Sequence, residues 1–283
     1  MADAATLFFI SIFGIVVKQH EAVFETAELA FSCAAFFGCC WALTRPYWGS
    51  ALAGFACGAS ILCSNLLVGA TVLVGCLMSH ILVRGIGDTS RKIFTTIAVA
   101  FVTFGLWPLV SYLLAGVVAG DYFNLWAQRQ IQIVGFFDPQ EILWFIKHFI
   151  WYLCPVWPFA FWAIWMWRKN LTVTHIALPL SFCFAWFVGF MLSSDVAAET
   201  LLSVTIAPLC VLATFGLMAC NRSTKSMLEL FSVAVFTLAL AGVWAYFIAW
   251  TLSFPPKMHW SILRLTADES VSHAHWVAVV LAA

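Results

Sequence analysis

Apolar residues run along this chain in long unbroken blocks, and polar residues collect in the short stretches between them. With proline, glycine and charge as punctuation, the blocks lie near residues 5–17, 26–44, 50–65, 67–83, 93–117, 142–167, 172–193, 200–220 and 229–253, and a clipped run occupies 274–283. A helix of about 20 apolar residues crosses a hydrocarbon core of ~30 Å. Only helices and closed barrels satisfy their backbone in lipid, and these blocks lack the alternation of barrel strands. The pattern therefore predicts an all-α, polytopic transmembrane bundle of about nine spans plus a partial one. The first block is short for a crossing of its own. The third carries Gly49, Gly54 and Gly58, which suits close helix packing.

Composition strengthens the membrane reading: 64% of the 283 residues are hydrophobic and 9% are charged, against about 25% charged in a soluble domain. The 13 basic and 13 acidic residues balance, so no polycationic tail or nucleic-acid patch exists and nucleic acid is excluded as a partner. All ten cysteines sit in or beside apolar runs, without a CxxC pair, and read as small core residues. No basic n-region or small-residue cleavage site marks the start as a signal peptide. The whole of residues 1–283 reads as one integral membrane domain.

Orientation follows from the basic residues. Placing the Arg45 loop in the cytoplasm also places there Arg84, Arg91, Lys92, Arg168, Lys169, Arg222 and Lys225, eight of the 13, as the positive-inside rule expects. The stretch KQHEAVFETAE (residues 18–28) then faces away from the cytoplasm, together with 118–141 and 254–273. Residues 118–141 mix aromatics with Gln, Arg and Asp as an interfacial helix would, while a connector dressed with interfacial Trp and Tyr is the favoured reading of both 118–141 and 254–273. In the acidic stretch, Glu21, Glu25 and Glu28 stand at i, i+4 and i+7, on one helix face, with His20 adjacent. Crowded carboxylates raise one another's proton affinity, so one of them can act as a base, and the group is also a candidate for a divalent metal. A plain interfacial helix start, where acidic residues complement the helix dipole, accounts for Glu21 taken alone and less well for the deeper Glu25 and Glu28.

The segment LWFIKHFIWYLCPVWPFAFWAIWMWRKN (residues 143–170) resembles a hallmark of bacterial family 39-type GT-C glycosyltransferases, relatives of aminoarabinose transferase and the protein mannosyltransferases. The matching pieces are Trp151, Tyr152, Pro155, Pro158, Trp162, Trp165, Arg168 and Lys169. KQHEAVFETAELAF is similar to the region where such proteins carry a His-Glu pair followed by an Asp four residues later; Glu25 stands at the Asp position. GSALAGFACGASILCSNLLVGATVLV resembles their glycine-rich helix, and LSSDVAAETLLSVTIAPLCVLA resembles the segment ending in a Pro-Leu pair, here Pro208 and Leu209.

The resemblance implies a bacterial inner-membrane, multi-pass enzyme that transfers a sugar from a polyprenyl-phosphate carrier to a lipid, glycan or protein on the extracytoplasmic face. It assigns Glu21 and Glu25, with His20 beside them, to catalysis. Arg129, Lys257 and Arg264 are candidates for holding the phosphate, chosen for their side of the membrane. The family's first span and large outer loop have no counterpart before the His-Glu pair, so the chain is expected to be a piece of a larger GT-C membrane domain, with doubtful activity of its own. Two other classes compete: a polytopic transporter subunit, disfavoured by the lack of a visible inverted repeat, and a non-catalytic membrane scaffold.

Overall fold

A computed structural model describes residues 2–18, 24–83, 85–133, 135, 141–193, 195–252, 256, 257 and 260. The expected run at 274–283 lies outside them, as do His20, Glu21 and Arg264. Twelve helices and no β-strand occur among the described residues. The chain divides into two compact units, Met1–Ala219 and Cys220–Ala283. The first contains α1 (Ala2–Ser11), α2 (Phe13–Lys18), α3 (Phe24–Trp41), α4 (Pro46–Cys63), α5 (Leu66–Leu82), α6 (Thr89–Ala115), α7 (Val117–Ile133), α8 (Glu141–Tyr152), α9 (Val156–Met166), α10 (Thr174–Met191) and α11 (Asp195–Ala219). The second contains α12 (Arg222–Leu252).

Helix starts follow local chemistry. Pro46 opens α4 at a position whose N–H has no intrahelical partner anyway. Asn65 caps α5 by accepting the Val68 N–H at 2.9 Å, and Asp88 caps α6 by accepting the Ser90 N–H at 3.1 Å.

Among the described residues, four helical segments are long and apolar enough to cross a membrane: Thr89–Leu114, Thr174–Met191, Thr200–Ala219 and Val233–Trp250. A fifth results if Ile146–Tyr152 and Val156–Met166 count as one span. The side chains of Phe101 and Leu114 on α6 are 75% and 83% exposed, and an apolar surface of this kind belongs in lipid. The chain is thus helical with several membrane-spanning candidates, while the nine spans expected from the blocks are not established. The shortfall has physical causes: α5 has only 17 residues, about 26 Å at 1.5 Å per residue, and Pro46, Tyr47, Trp48 and the glycines dilute the apolar character of α4. Glu25 and Glu28 further reduce the apolar character of α3.

Two expected single helices are broken. The 142–167 block bends by 99° between α8 and α9, at Pro155, which offers no N–H to continue the helix. The first block is interrupted at Ile12, which is fully buried. The breaks face each other, since the Phe13 N–H donates to the Cys154 carbonyl at 3.1 Å. Backbone groups released at one interruption are thereby satisfied at the other, as a low-dielectric surrounding demands. Gly14 makes the contact possible, because a Cβ there would lie 2.4 Å from the Tyr152 ring.

The centre of the first unit is a small-residue sandwich. One edge of α4 meets α3 through Gly49 and Ala53, and the opposite edge meets α6 through Gly54 and Gly58. A Cβ on Gly54 would lie 2.4 Å from the Thr96 carbonyl oxygen, and one on Gly58 would lie 2.7 Å from that of Ala100. The close packing expected of these glycines is found. Behind this layer, Phe36 of α3 meets Phe182 of α10 edge to face at 5.3 Å, and His80 Nε2 lies 3.2 Å from Thr96 Oγ1 in the buried α5/α6 contact.

Candidate functional site

Helix directions sort the polar residues of the first unit onto two ends. At one end the Ile86 N–H donates to the Leu43 carbonyl at 3.2 Å, joining the α3/α4 and α5/α6 turns. Gly189 of α10 abuts Thr71 of α5, and Phe182 abuts Gly75. These helices are therefore antiparallel, and the start of α10 lies at the end of α5. Arg45, Arg91, Lys92, Arg168 and Lys169 gather at this end.

The acidic face of α3 belongs to the opposite end. Glu25 lies in the first turn of α3 and is half-buried. Glu28 is fully buried and contacts α11, where the Ser203 hydroxyl donates to its Oε1. The same hydroxyl lies 2.7 Å from the Thr200 carbonyl oxygen. Ser64, at the α4/α5 junction, approaches the Glu28 carboxyl and accepts from Asn65 Nδ2 at 3.1 Å. A polar string thus runs from Asn65 through Ser64, Glu28 and Ser203 to Thr200, across the ends of four helices. Glu28 Oε2 and the buried hydroxyl of Ser32, one turn along α3, have no hydrogen-bond partner among the described residues.

Helix α7 covers the same end. Gly116, at φ +54°, closes α6 and turns the chain back on itself. Trp107 then packs against Phe123 at 5.0 Å and Trp126 at 6.2 Å, and Phe104 meets Trp126 at 5.8 Å. Further along α7, Gln130 Oε1 accepts the Leu66 N–H at 2.8 Å. This ties α7 to the α4/α5 junction that holds Ser64. Arg129 precedes that tie and is exposed. The first part of the 118–141 stretch is thus a helix tied to the bundle, where a plain connector was the favoured reading.

Of the residues singled out from sequence, Glu25 and Arg129 are brought to one end of the bundle. Lys257 lies in the second unit and is exposed. His20, Glu21 and Arg264 lie outside the described residues. Among the described residues, no three His, Cys, Asp or Glu side chains converge to hold a metal. What the sequence did not assign is the role of Glu28 and its partner Ser203, 175 positions away. The available signal was the serine in the largely apolar run LLSVTIAPL, since polar residues at such depth pair across helices.

No protein-family profile, curated protein or solved structure matches the chain.

The Glu28–Ser203 contact makes a stability prediction. Ser203→Ala removes the hydroxyl that donates to Oε1 and leaves the buried carboxyl with only the approaching Ser64 side chain, at a cost of about 1–3 kcal/mol. The double change Glu28→Leu with Ser203→Ala replaces both partners by apolar groups and is expected to recover most of that loss, because buried polar pairs contribute little beyond an apolar equivalent. Thermal unfolding of the detergent-solubilised chain measures both. A double variant no more stable than Ser203→Ala alone would contradict this account.

Proposed function

We propose that the chain is the membrane-embedded part of a glycosyltransferase that moves a sugar from a polyprenyl-phosphate carrier to a lipid, glycan or protein acceptor. The observation that carries the reading is the placement of Glu25 and Glu28 on one face of α3, at the end opposite Arg45, Arg91, Lys92, Arg168 and Lys169. The positive-inside rule assigns the basic end to the cytoplasm and the acidic end to the outer face of the plasma membrane, where polyprenyl-linked sugars of this class are consumed. The resemblance of residues 143–170 to family 39-type enzymes supports the same reading.

In this mechanism Glu25 takes the proton of the acceptor hydroxyl as its oxygen bonds to the anomeric carbon. The bond from that carbon to the phosphate oxygen breaks, and polyprenyl phosphate leaves with the electron pair. Arg129, on the helix covering the same end, offers a planar cation to the phosphate. The apolar flank of the helices accepts the prenyl tail.

The test is transfer from a radiolabelled polyprenyl-phosphate sugar in membranes containing the chain. Label passing from the organic-extractable donor into an acceptor supports the reading. Its absence, in membranes where the chain is inserted and the donor is intact, rejects it.

A further inference from the structure

The hydrogen inventory around Glu28 leads beyond sugar transfer. An ionised carboxylate presents about four lone-pair sites and no proton. Against these, the described surroundings of Glu28 offer the Ser203 hydroxyl, which also faces the Thr200 carbonyl at 2.7 Å, and the approaching Ser64 side chain. Oε2 meets no donor among the described residues, and the residue is wholly removed from solvent. A buried carboxylate so poorly solvated costs far more than the same group as a neutral acid. Among the described residues, the titratable groups facing it are Glu25 on its own helix and Cys63 at the end of α4; neither supplies a compensating positive charge.

We propose that Glu28 is a proton-binding site within the bundle: a carboxylic acid that holds its proton at neutral pH, linked through Ser64 and Asn65 to the α4/α5 turn and through Ser203 to α11. The ligand is a proton and not a metal cation, because a cation would require several charged ligands and, among the described residues, no three His, Cys, Asp or Glu side chains converge to hold one. This does not depend on the transferase reading, since a proton held at Glu28 is observable whether or not the chain moves a sugar.

A membrane-permeant carbodiimide, dicyclohexylcarbodiimide, tests the site. It reacts with a protonated carboxyl in apolar surroundings: the acid proton passes to a carbodiimide nitrogen and the carboxyl oxygen bonds to the central carbon. The adduct rearranges to an N-acylurea that retains every atom of both reactants. The full chain in lipid vesicles at neutral pH is expected to gain one carbodiimide on the peptide carrying Glu28, and Glu28→Gln is expected to lose that adduct. The infrared spectrum of the unmodified protein provides a readout that needs no variant: an un-ionised carboxyl gives a C=O band above the amide region, which shifts down in heavy water. Absence of that band overturns the proposal. Labelling confined to Glu25 overturns it too. Protection of Glu28 from the reagent by sodium ions would assign the site to a metal cation and equally reject the proton.

Discussion

Gly49→Leu is expected to eliminate recovery of folded, monodisperse protein. A Cβ at this position would lie 2.2 Å from the Ala42 nitrogen, 2.5 Å from the Ala42 Cα and 2.7 Å from the Gly38 carbonyl oxygen. All three are backbone atoms, so no side chain can rotate out of the way. The Gly38 carbonyl is also occupied by the Ala42 N–H at 2.8 Å, so moving it sacrifices the last turn of α3. On the same interface a Cβ on Gly38 would lie 2.7 Å from the Ala53 nitrogen, so α3 cannot slide along α4 to relieve the clash. Overpacking of a well-filled contact costs about 1–3 kcal/mol for modest insertions; Gly49→Ala is expected in that range, and leucine well above it. Gly105 provides the contrast, because a Cβ there meets nothing within 4 Å. Gly105→Ala is expected to stabilise α6 by about 0.5–1 kcal/mol through reduced backbone freedom in the unfolded chain. Thermal stability followed by size-exclusion chromatography separates the cases. An unchanged unfolding midpoint for Gly49→Leu would show that α3 and α4 do not pack as described.

The glycine-rich α4 was legible in advance because its signal is local: small residues in an apolar helix have little use other than letting another helix approach. The separations between helices were legible for the same reason, through the proline, glycine and charge that punctuate the apolar blocks. The breaks at Ile12 and Pro155 were not. Nothing in the run TLFFISIFGIVV forbids a continuous helix; the interruption is stabilised by the Phe13 to Cys154 hydrogen bond, a contact between segments distant in sequence. Proline in an apolar block is ambiguous as well. Pro108, Pro179 and Pro208 lie inside α6, α10 and α11, whereas Pro155 terminates a helix. Lipid-facing helices tolerate proline where neighbours can satisfy the freed carbonyl, and that condition is tertiary. The acidic face of α3 was readable from its spacing, but the division of labour along it was not. Only the packing of α11 distinguishes the half-buried Glu25 from Glu28, which is sealed against Ser203.

Glu25→Gln is expected to abolish sugar transfer while leaving insertion and folding intact. The two side chains have nearly the same shape, and Glu25 is half-buried in the first turn of α3, so a surface-type change within about 0.5 kcal/mol of neutral is expected for stability. Loss of a small favourable interaction with the helix dipole belongs within that range. The amide cannot take the acceptor proton, and removing a positioned general base typically costs about 10²–10⁴ in rate. If Glu25 acts in this way, the fall is in kcat, with the KM for the lipid-linked donor little changed, because the donor's phosphate and prenyl tail are bound elsewhere. Glu25→Asp retains the carboxylate one methylene shorter and is expected to keep part of the activity. Arg129→Ala differs in kind: it weakens the hold on the phosphate and is expected to raise the donor KM, since a cation bound to the ground-state phosphate contributes to binding before transfer begins. Transfer by Glu25→Gln at the wild-type rate, in membranes where the variant is inserted at the normal level, would remove Glu25 from the mechanism. A donor KM that rises in the Glu25→Gln variant as much as in Arg129→Ala would instead make Glu25 part of the donor-binding surface, and the proton would have to go to another group at that end of the bundle.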